Sequence, residues 1–95
     1  DPAAVNTAPA GTQLSIQGRV ISLAPAASER SPYRLTISGN GGTATVVIWS
    51  DAWQQIPETH RPITGMLLRV SGHVGEFKHF KELRVRRGSD VQPVY

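Results

Sequence analysis

Ile16-Gln17-Gly18-Arg19-Val20 and Val70-Ser71-Gly72-His73-Val74 are one five-residue phrase written twice, once near the start of the chain and once in its second half. Each copy lies in an alternating run: Leu14, Ile16, Gly18 and Val20 in the first, Leu68, Val70, Gly72 and Val74 in the second. Alternation with a period of two marks a strand with one buried face. A glycine on that buried face weakens a strand, so its presence there signals a sharp bend or a close approach of two backbones. Two such strands with a hairpin between them are what a small, strongly coiled barrel requires.

Working outward from these phrases, the first strand is predicted over residues 13–23 and is followed by a loop over 24–32 that contains Pro25 and Pro32. The second strand, 33–38, places Tyr33, Leu35 and Ile37 on one face. Gly39-Asn40-Gly41-Gly42 reads as a tight hairpin turn. The third strand, 43–49, is strongly β-forming (Thr-Ala-Thr-Val-Val-Ile-Trp). A short helix follows, with Asp51 expected to cap it and Gln54 to complete a capping box. Trp53 and Ile56 would share its buried side, and Pro57 would end it. The fourth strand is predicted over 66–77 and the fifth over about 80–87, with a turn at Lys78-His79. Residues 91–95 are a tail or a short strand extension.

Three strands, a helix and two strands, all locally connected, exclude a parallel βαβ layout. Five short strands need closure or cover, because open edges invite aggregation. The expected architecture is therefore all-β, a closed or partly open five-stranded barrel with one short helix between strands three and four. Its core would hold Leu14, Ile16, Val20, Leu35, Ile37, Val46, Ile48, Trp53, Ile56, Met66, Leu68, Val70, Val74, Leu83 and Val85.

Composition sets further bounds. Ninety-five residues make one domain, and 39% hydrophobic content fits a small globular core. No apolar run approaches the roughly 18–20 residues needed to span a bilayer. The absence of cysteine excludes disulfides and thiolate metal sites. The net charge is +3 and is unevenly spread. Between residues 69 and 87 stand Arg69, Lys78, Lys81, Arg84, Arg86 and Arg87 against Glu76 and Glu82, whereas the rest of the chain is slightly acidic. A one-sided basic segment is either the footprint of a polyanion binder or a solvated hairpin kept soluble by charge. Residues 1–11, rich in Ala and Pro, read as a tether or linker ahead of a domain over 12–95.

Four stretches carry a resemblance to the OB-fold (oligonucleotide/oligosaccharide-binding), in particular its tRNA-anticodon-binding and replication-protein-A-like members. They are Ile16–Val20; the hairpin over 33–49 with Ser50-Asp51-Ala52-Trp53 behind it; Gly65-Met-Leu-Leu-Arg-Val70-Ser-Gly72-His-Val74; and 77–85, where the family has a short aromatic turn and a returning strand. The match covers 13–87. It departs at Gly39, where such members often carry an aspartate. The resemblance implies a ligand laid across strands two and three, flanked by the loops after strands one and four.

Such a ligand needs cations for phosphates and flat side chains for bases. On the positions that alternate with the core set, strand one offers Gln17 and Arg19, strand two Arg34 and Thr36, and strand three Thr45, Val47 and Trp49. Strand four offers Arg69, Ser71 and His73, and strand five Arg84 and Arg86. The five arginines are expected to share one face, with Glu82 near the turn as its acidic exception. Phe77-Lys78-His79-Phe80-Lys81 would form a finger that stacks on bases and holds phosphate. Alternation turns Trp49 outward, yet at a strand end it could equally fold over the barrel mouth; Tyr33 is a core or rim residue. Arg30 could extend the basic track from Arg34.

Catalysis finds little support. His60, His73 and His79 are not spaced as metal ligands, no nucleophile elbow occurs, and the glycine run at 39–42 has no following helix or lysine of a phosphate loop. No metal or cofactor is expected. Two functions stay open. One is a module for single-stranded DNA or RNA with little sequence preference. The other is an exported or tethered protein-interaction module, with a homodimer or a partner strand on an open edge. An oligosaccharide ligand is disfavoured by the scarcity of exposed Trp and acidic residues. The chain opens on Asp1-Pro2 without an initiator methionine, so a processed or excised piece is expected. It would be cytoplasmic if cut from a nucleic-acid enzyme and periplasmic if residues 1–11 are an export tether.

Overall fold

Gly18 and Gly72 stand where the two longest strands pass from one neighbour to the next. The computed structural model describes residues 2–25, 31–39 and 41–94. Strand β1 (Gln13–Ala24) pairs with β4 (Leu67–Phe77) from Gln13↔His73 to Arg19↔Leu67, and with β2 (Tyr33–Gly39) from Arg19↔Ser38 to Ala24↔Arg34. Its two ladders overlap at Arg19, so the strand must coil sharply just there. A Cβ on Gly18 would come within 2.5 Å of both Ile37 Cγ2 and the Ser38 carbonyl oxygen. Strand β4 repeats the device, leaving β1 and taking up β5 (Phe80–Val85) at His73. A Cβ on Gly72 would overlap the Arg84 carbonyl oxygen. The repeated phrase thus marks close backbone approach in both copies.

Strand β3 (Gly42–Ile48) forms a full antiparallel hairpin with β2 and then meets β5 in parallel, over Val46–Ile48 and Leu83–Val85. That short parallel contact closes the ring β1-β2-β3-β5-β4 and returns to β1. A sixth strand, β6 (Val91–Pro93), extends the sheet beside Leu68–Val70 of β4. The barrel is filled by the expected set. Leu14 and Met66 are half-buried against its rim, and Val5, Ala44, Ala52 and Val91 join it. Burying one Leu, Ile or Val side chain is worth about 1.5–3 kcal/mol, so this core is the main source of stability.

Two segments plug the barrel ends. A helix of six residues (Ser50–Gln55) follows β3 and buries Trp53, whose ring stacks on Tyr33 at 3.9 Å and 6°. Tyr33 is therefore a rim residue held by the plug. The capping box is not formed: the N-cap lies two residues earlier than expected, at Trp49, which moves Asp51 into the first turn. There its carboxylate accepts the Ala52 N–H at 3.0 Å and faces the positive end of the helix.

The other plug comes from the stretch expected as a tether. Ala4–Thr7 forms a single helical turn whose Val5 is completely buried, and the Asn6 side-chain amide donates to the Thr43 carbonyl at 2.8 Å. Pro2 is buried over Gly39, where a Cβ would overlap Pro2 Cδ, so the position leaves no room for a side chain. Gly11 and Thr12 then join Val74 by two backbone hydrogen bonds. Ala and Pro composition resembles a linker, but the same short apolar side chains suit a barrel mouth. Arg30, Asn40 and most of the loop over 24–32 lie outside the described residues, so the expected extension of the basic track through Arg30 does too.

Candidate ligand-binding face

The pairing register builds the outer surface of β2, β3, β5 and β4 row by row. Arg34 pairs with Val47, Val47 with Arg84, and Arg84 with His73. One row toward the β4–β5 turn, Thr36 pairs with Thr45 and Glu82 with Gly75. Over this surface lies a cleft of about 320 Å³. Arg34, Thr36, Thr45 and Glu82 line it from the strands, Ser22 and Ala24 from β1, and Phe77, Phe80 and Lys81 from the turn region.

The turn is a two-residue hairpin. Phe77 and Phe80 are its closing pair, and Lys78 and His79 have φ of 50° and 71°. Positive φ at both central positions is the type I′ pattern, whose twist matches the flanking strands. The turn holds two aromatic rings out to solvent, Phe77 at 48% and Phe80 at 75% exposure. The Phe77 ring has the Arg34 guanidinium carbon 5.7 Å and Lys78 Nζ 5.4 Å from its centroid, both within cation–π reach. Lys81 is half-buried, its ammonium 3.9 Å from the Glu76 carboxylate.

Glu82 is the buried charge of the site, 5% exposed. One carboxylate oxygen accepts from Arg34 Nη1 at 3.5 Å and the other from Arg84 Nε at 3.0 Å. Arg84 lies flat across Gly75, where a Cβ would come 2.5 Å from its Cζ, and it also donates to the Glu76 carbonyl at 3.4 Å. Val47 has outward parity, as alternation indicates, yet it is fully buried between Arg34 and Arg84.

The structure gathers Arg34, Phe77, Phe80 and Lys81 in the cleft and sets Lys78 and His79 at its tip. Toward the opposite end of β5, Trp49 is 37% exposed and shares a hollow of about 350 Å³ with Asp51, Val85 and Arg86. His73 shares a smaller hollow of about 90 Å³ with Gln13, Arg86, Arg87 and Asp90. Burial, and then the positive charges of Arg86 and Arg84, hold its imidazole pKa below the ordinary 6.5.

Arg19 and Arg69 stand apart from the cleft. Arg19 donates to the Gly65 carbonyl at 2.8 Å, and Arg69 donates to the Gln17 side chain at 3.2 Å across the β1–β4 wall. The expectation of five arginines on one face is thus corrected. Alternation separates inside from outside, but the outside of a closed barrel looks in every direction. Sequence reasoning misses Glu82 as the clasp of two arginines. The one signal for it is outward parity on β5 beside Arg84.

Among the described residues no group of three His, Asp or Glu side chains converges as a metal site, and no helix is long and apolar enough to cross a membrane.

A closed five-stranded barrel of order β1-β2-β3-β5-β4, with a helix between β3 and β4, is the OB-fold. Solved structures bear the assignment out. The chain is similar to the OB domain of MM0293 from Methanosarcina mazei, with a TM-score of 0.76 and 20% identity over 90% of this chain and 75% of that one. It is similar to a chain of a replication protein A heterotrimer bound to ssDNA, with a TM-score of 0.65 and 20% identity over 95% of this chain and 62% of that one. It is also similar to the hypothetical protein ygiW from E. coli, with a TM-score of 0.65 and 15% identity over 96% of this chain and 84% of that one. No protein-family model and no curated protein matches the chain. At these identities the likeness is one of fold.

Proposed function

We propose that this protein is a binding module, not an enzyme, and that its ligand is single-stranded nucleic acid, DNA or RNA, laid through the cleft over β2, β3 and β5. The observation that carries the reading is the pair of solvent-exposed rings, Phe77 and Phe80, beside a cleft lined by Arg34 and Lys81. Aromatic rings left in water are costly unless they have something to stack on, and a base stacked on one is worth about 1–3 kcal/mol whatever its identity. Arg34 and Lys81, with Lys78 at the tip, supply charge for the phosphates, and His79 beside Lys78 offers a flat ring and a hydrogen bond. Thr36 and Thr45 offer hydroxyls from the floor. Arg84 and Arg86 continue the positive surface along β5 with the His73 imidazole beside them, and Trp49 offers a further ring beside Arg86. Arg19 and Arg69 take no part. A heterotrimer bound to ssDNA among the similar structures supports the reading.

The test is fluorescence anisotropy of labelled oligo-dT and oligo-U at low and at physiological salt. Saturable binding is expected, with log affinity falling against log salt with a slope of about −0.7 per phosphate neutralised. The ratio of the two affinities separates DNA from RNA. No binding at low salt overturns the reading and redirects attention to a protein partner.

A further inference from the structure

Glu82 is out of place in a phosphate-binding cleft. A carboxylate there repels the backbone of the ligand, and its two partners do not need it, since Arg34 and Arg84 have side chains 43% and 31% exposed to water. Resting on the function proposed above, we infer that Glu82 forms a subsite for one base of the bound strand, and that the base is guanine.

The argument begins with lone pairs. An ionised carboxylate has about four acceptor positions. Arg34 and Arg84 take one on each oxygen, which leaves acceptor capacity on a side chain that lines the cleft. The two arginines hold the carboxylate by one contact on each oxygen, at 3.5 and 3.0 Å. The cleft, at about 320 Å³, has room for a nucleobase, and Phe77 and Phe80 at its mouth give the base a ring to stack on.

Bases of a single strand are read on their Watson–Crick edges. Guanine presents two adjacent donors there, N1–H and the N2 amino group, which match the two oxygens of a carboxylate. Its neighbouring O6 is an acceptor suited to Arg34 or Lys81. Cytosine and adenine present one amino donor beside a ring acceptor. Thymine and uracil present a single N–H between two carbonyls, both of which repel a carboxylate. The rest of the strand would be held by stacking and charge, so selectivity is confined to one position.

The experiment uses labelled oligo-dT of about ten nucleotides, within the range of sites on this fold, with one central T, A, C, G or inosine. Inosine keeps the guanine ring and O6 but lacks the N2 amino group. The native protein is expected to bind the G-containing strand about tenfold more tightly than the all-T strand, which is about 1.4 kcal/mol. Inosine should lose most of that gain. Glu82→Gln should level the series, so that strands with G, inosine or T at the central position bind alike. Equal affinity for G and T, inosine matching guanine, or a G preference that survives Glu82→Gln would each overturn the subsite and leave the parent function standing. Failure to bind any strand would overturn both. If Glu82→Gln does not fold, the inosine comparison decides the matter in the native chain.

Discussion

Replacing Lys78-His79 by Asn-Gly should make the protein more stable and a poorer binder. Both residues sit at positive φ, 50° and 71°, in a two-residue turn closed by Phe77 and Phe80. Left-handed backbone costs an ordinary L-residue about 1–2 kcal/mol, whereas Asn-Gly is the pair such turns favour. Glycine returns part of that gain through the greater freedom of the unfolded chain, about 0.4–1 kcal/mol. The net expectation for the double substitution is a gain of about 1 kcal/mol, which for a domain of this size raises Tm by about 4–8 °C. Unfolding followed by circular dichroism measures it. The same change removes the ammonium held 5.4 Å from the Phe77 ring, so nucleic-acid affinity should fall. The salt dependence should flatten by about 0.7 for each phosphate that Lys78 no longer neutralises. An unchanged Tm would refute the idea that the turn stores conformational strain. A raised Tm with undiminished affinity would remove the turn tip from the binding site.

Three further outcomes follow from individual side chains and glycines. Phe80→Ala, at a side chain 75% exposed, should leave stability within about 0.5 kcal/mol, yet weaken oligonucleotide binding about 5- to 150-fold; equal affinity in the two proteins would place the bases elsewhere. Gly72→Ala forces a methyl group into the Arg84 carbonyl oxygen and should cost about 1–3 kcal/mol, read as a lower urea midpoint, and an unshifted midpoint would contradict the close strand approach. His73 has its folded pKa held below 6.5 by burial, Arg86 and Arg84, so the unfolded chain takes up this proton first as pH falls. Its contribution to stability is therefore complete above about pH 6.5 and declines as pH drops toward the folded pKa. His73→Gln should flatten that part of the profile, and an NMR titration of His73 midway at or above 6.5 would reverse the sign.

The two glycine phrases are legible in the sequence because a small residue on a buried strand face has few physical explanations, and coiling at close quarters is one of them. The β4–β5 turn is legible for a similar reason: two rings flanking two polar residues leave a hairpin little choice of register. The N-terminal plug is not legible. Pro2 and Val5 carry no periodicity, and the burial of Pro2 depends on space left by Gly18 and Gly39, a tertiary fact invisible in a stretch of Ala and Pro. The helix start is displaced by two residues because Trp49, extended at the end of β3, takes the cap position that Asp51 would favour by type. Trp49 itself follows its alternation and stays at the surface.

Charge is the least legible property, and the reason bears on function. Counting along the sequence makes residues 69–87 a basic block, yet the fold distributes that block around a cylinder and pairs part of it internally. Arg69 turns to Gln17 on the far wall, while Arg34 and Arg84 converge on Glu82. The cleft therefore does not present a row of free cations. It presents Arg34 paired with a buried carboxylate that also holds Arg84 beside it, and Lys81 within reach of Glu76, with Lys78 at the tip of the turn. Guanidinium groups already engaged by a carboxylate have less charge left to neutralise phosphates. Binding by this face should thus depend less steeply on salt than its net charge suggests. A measured slope matching all six basic residues of the segment would mean that the Glu82 clasp opens when the strand arrives.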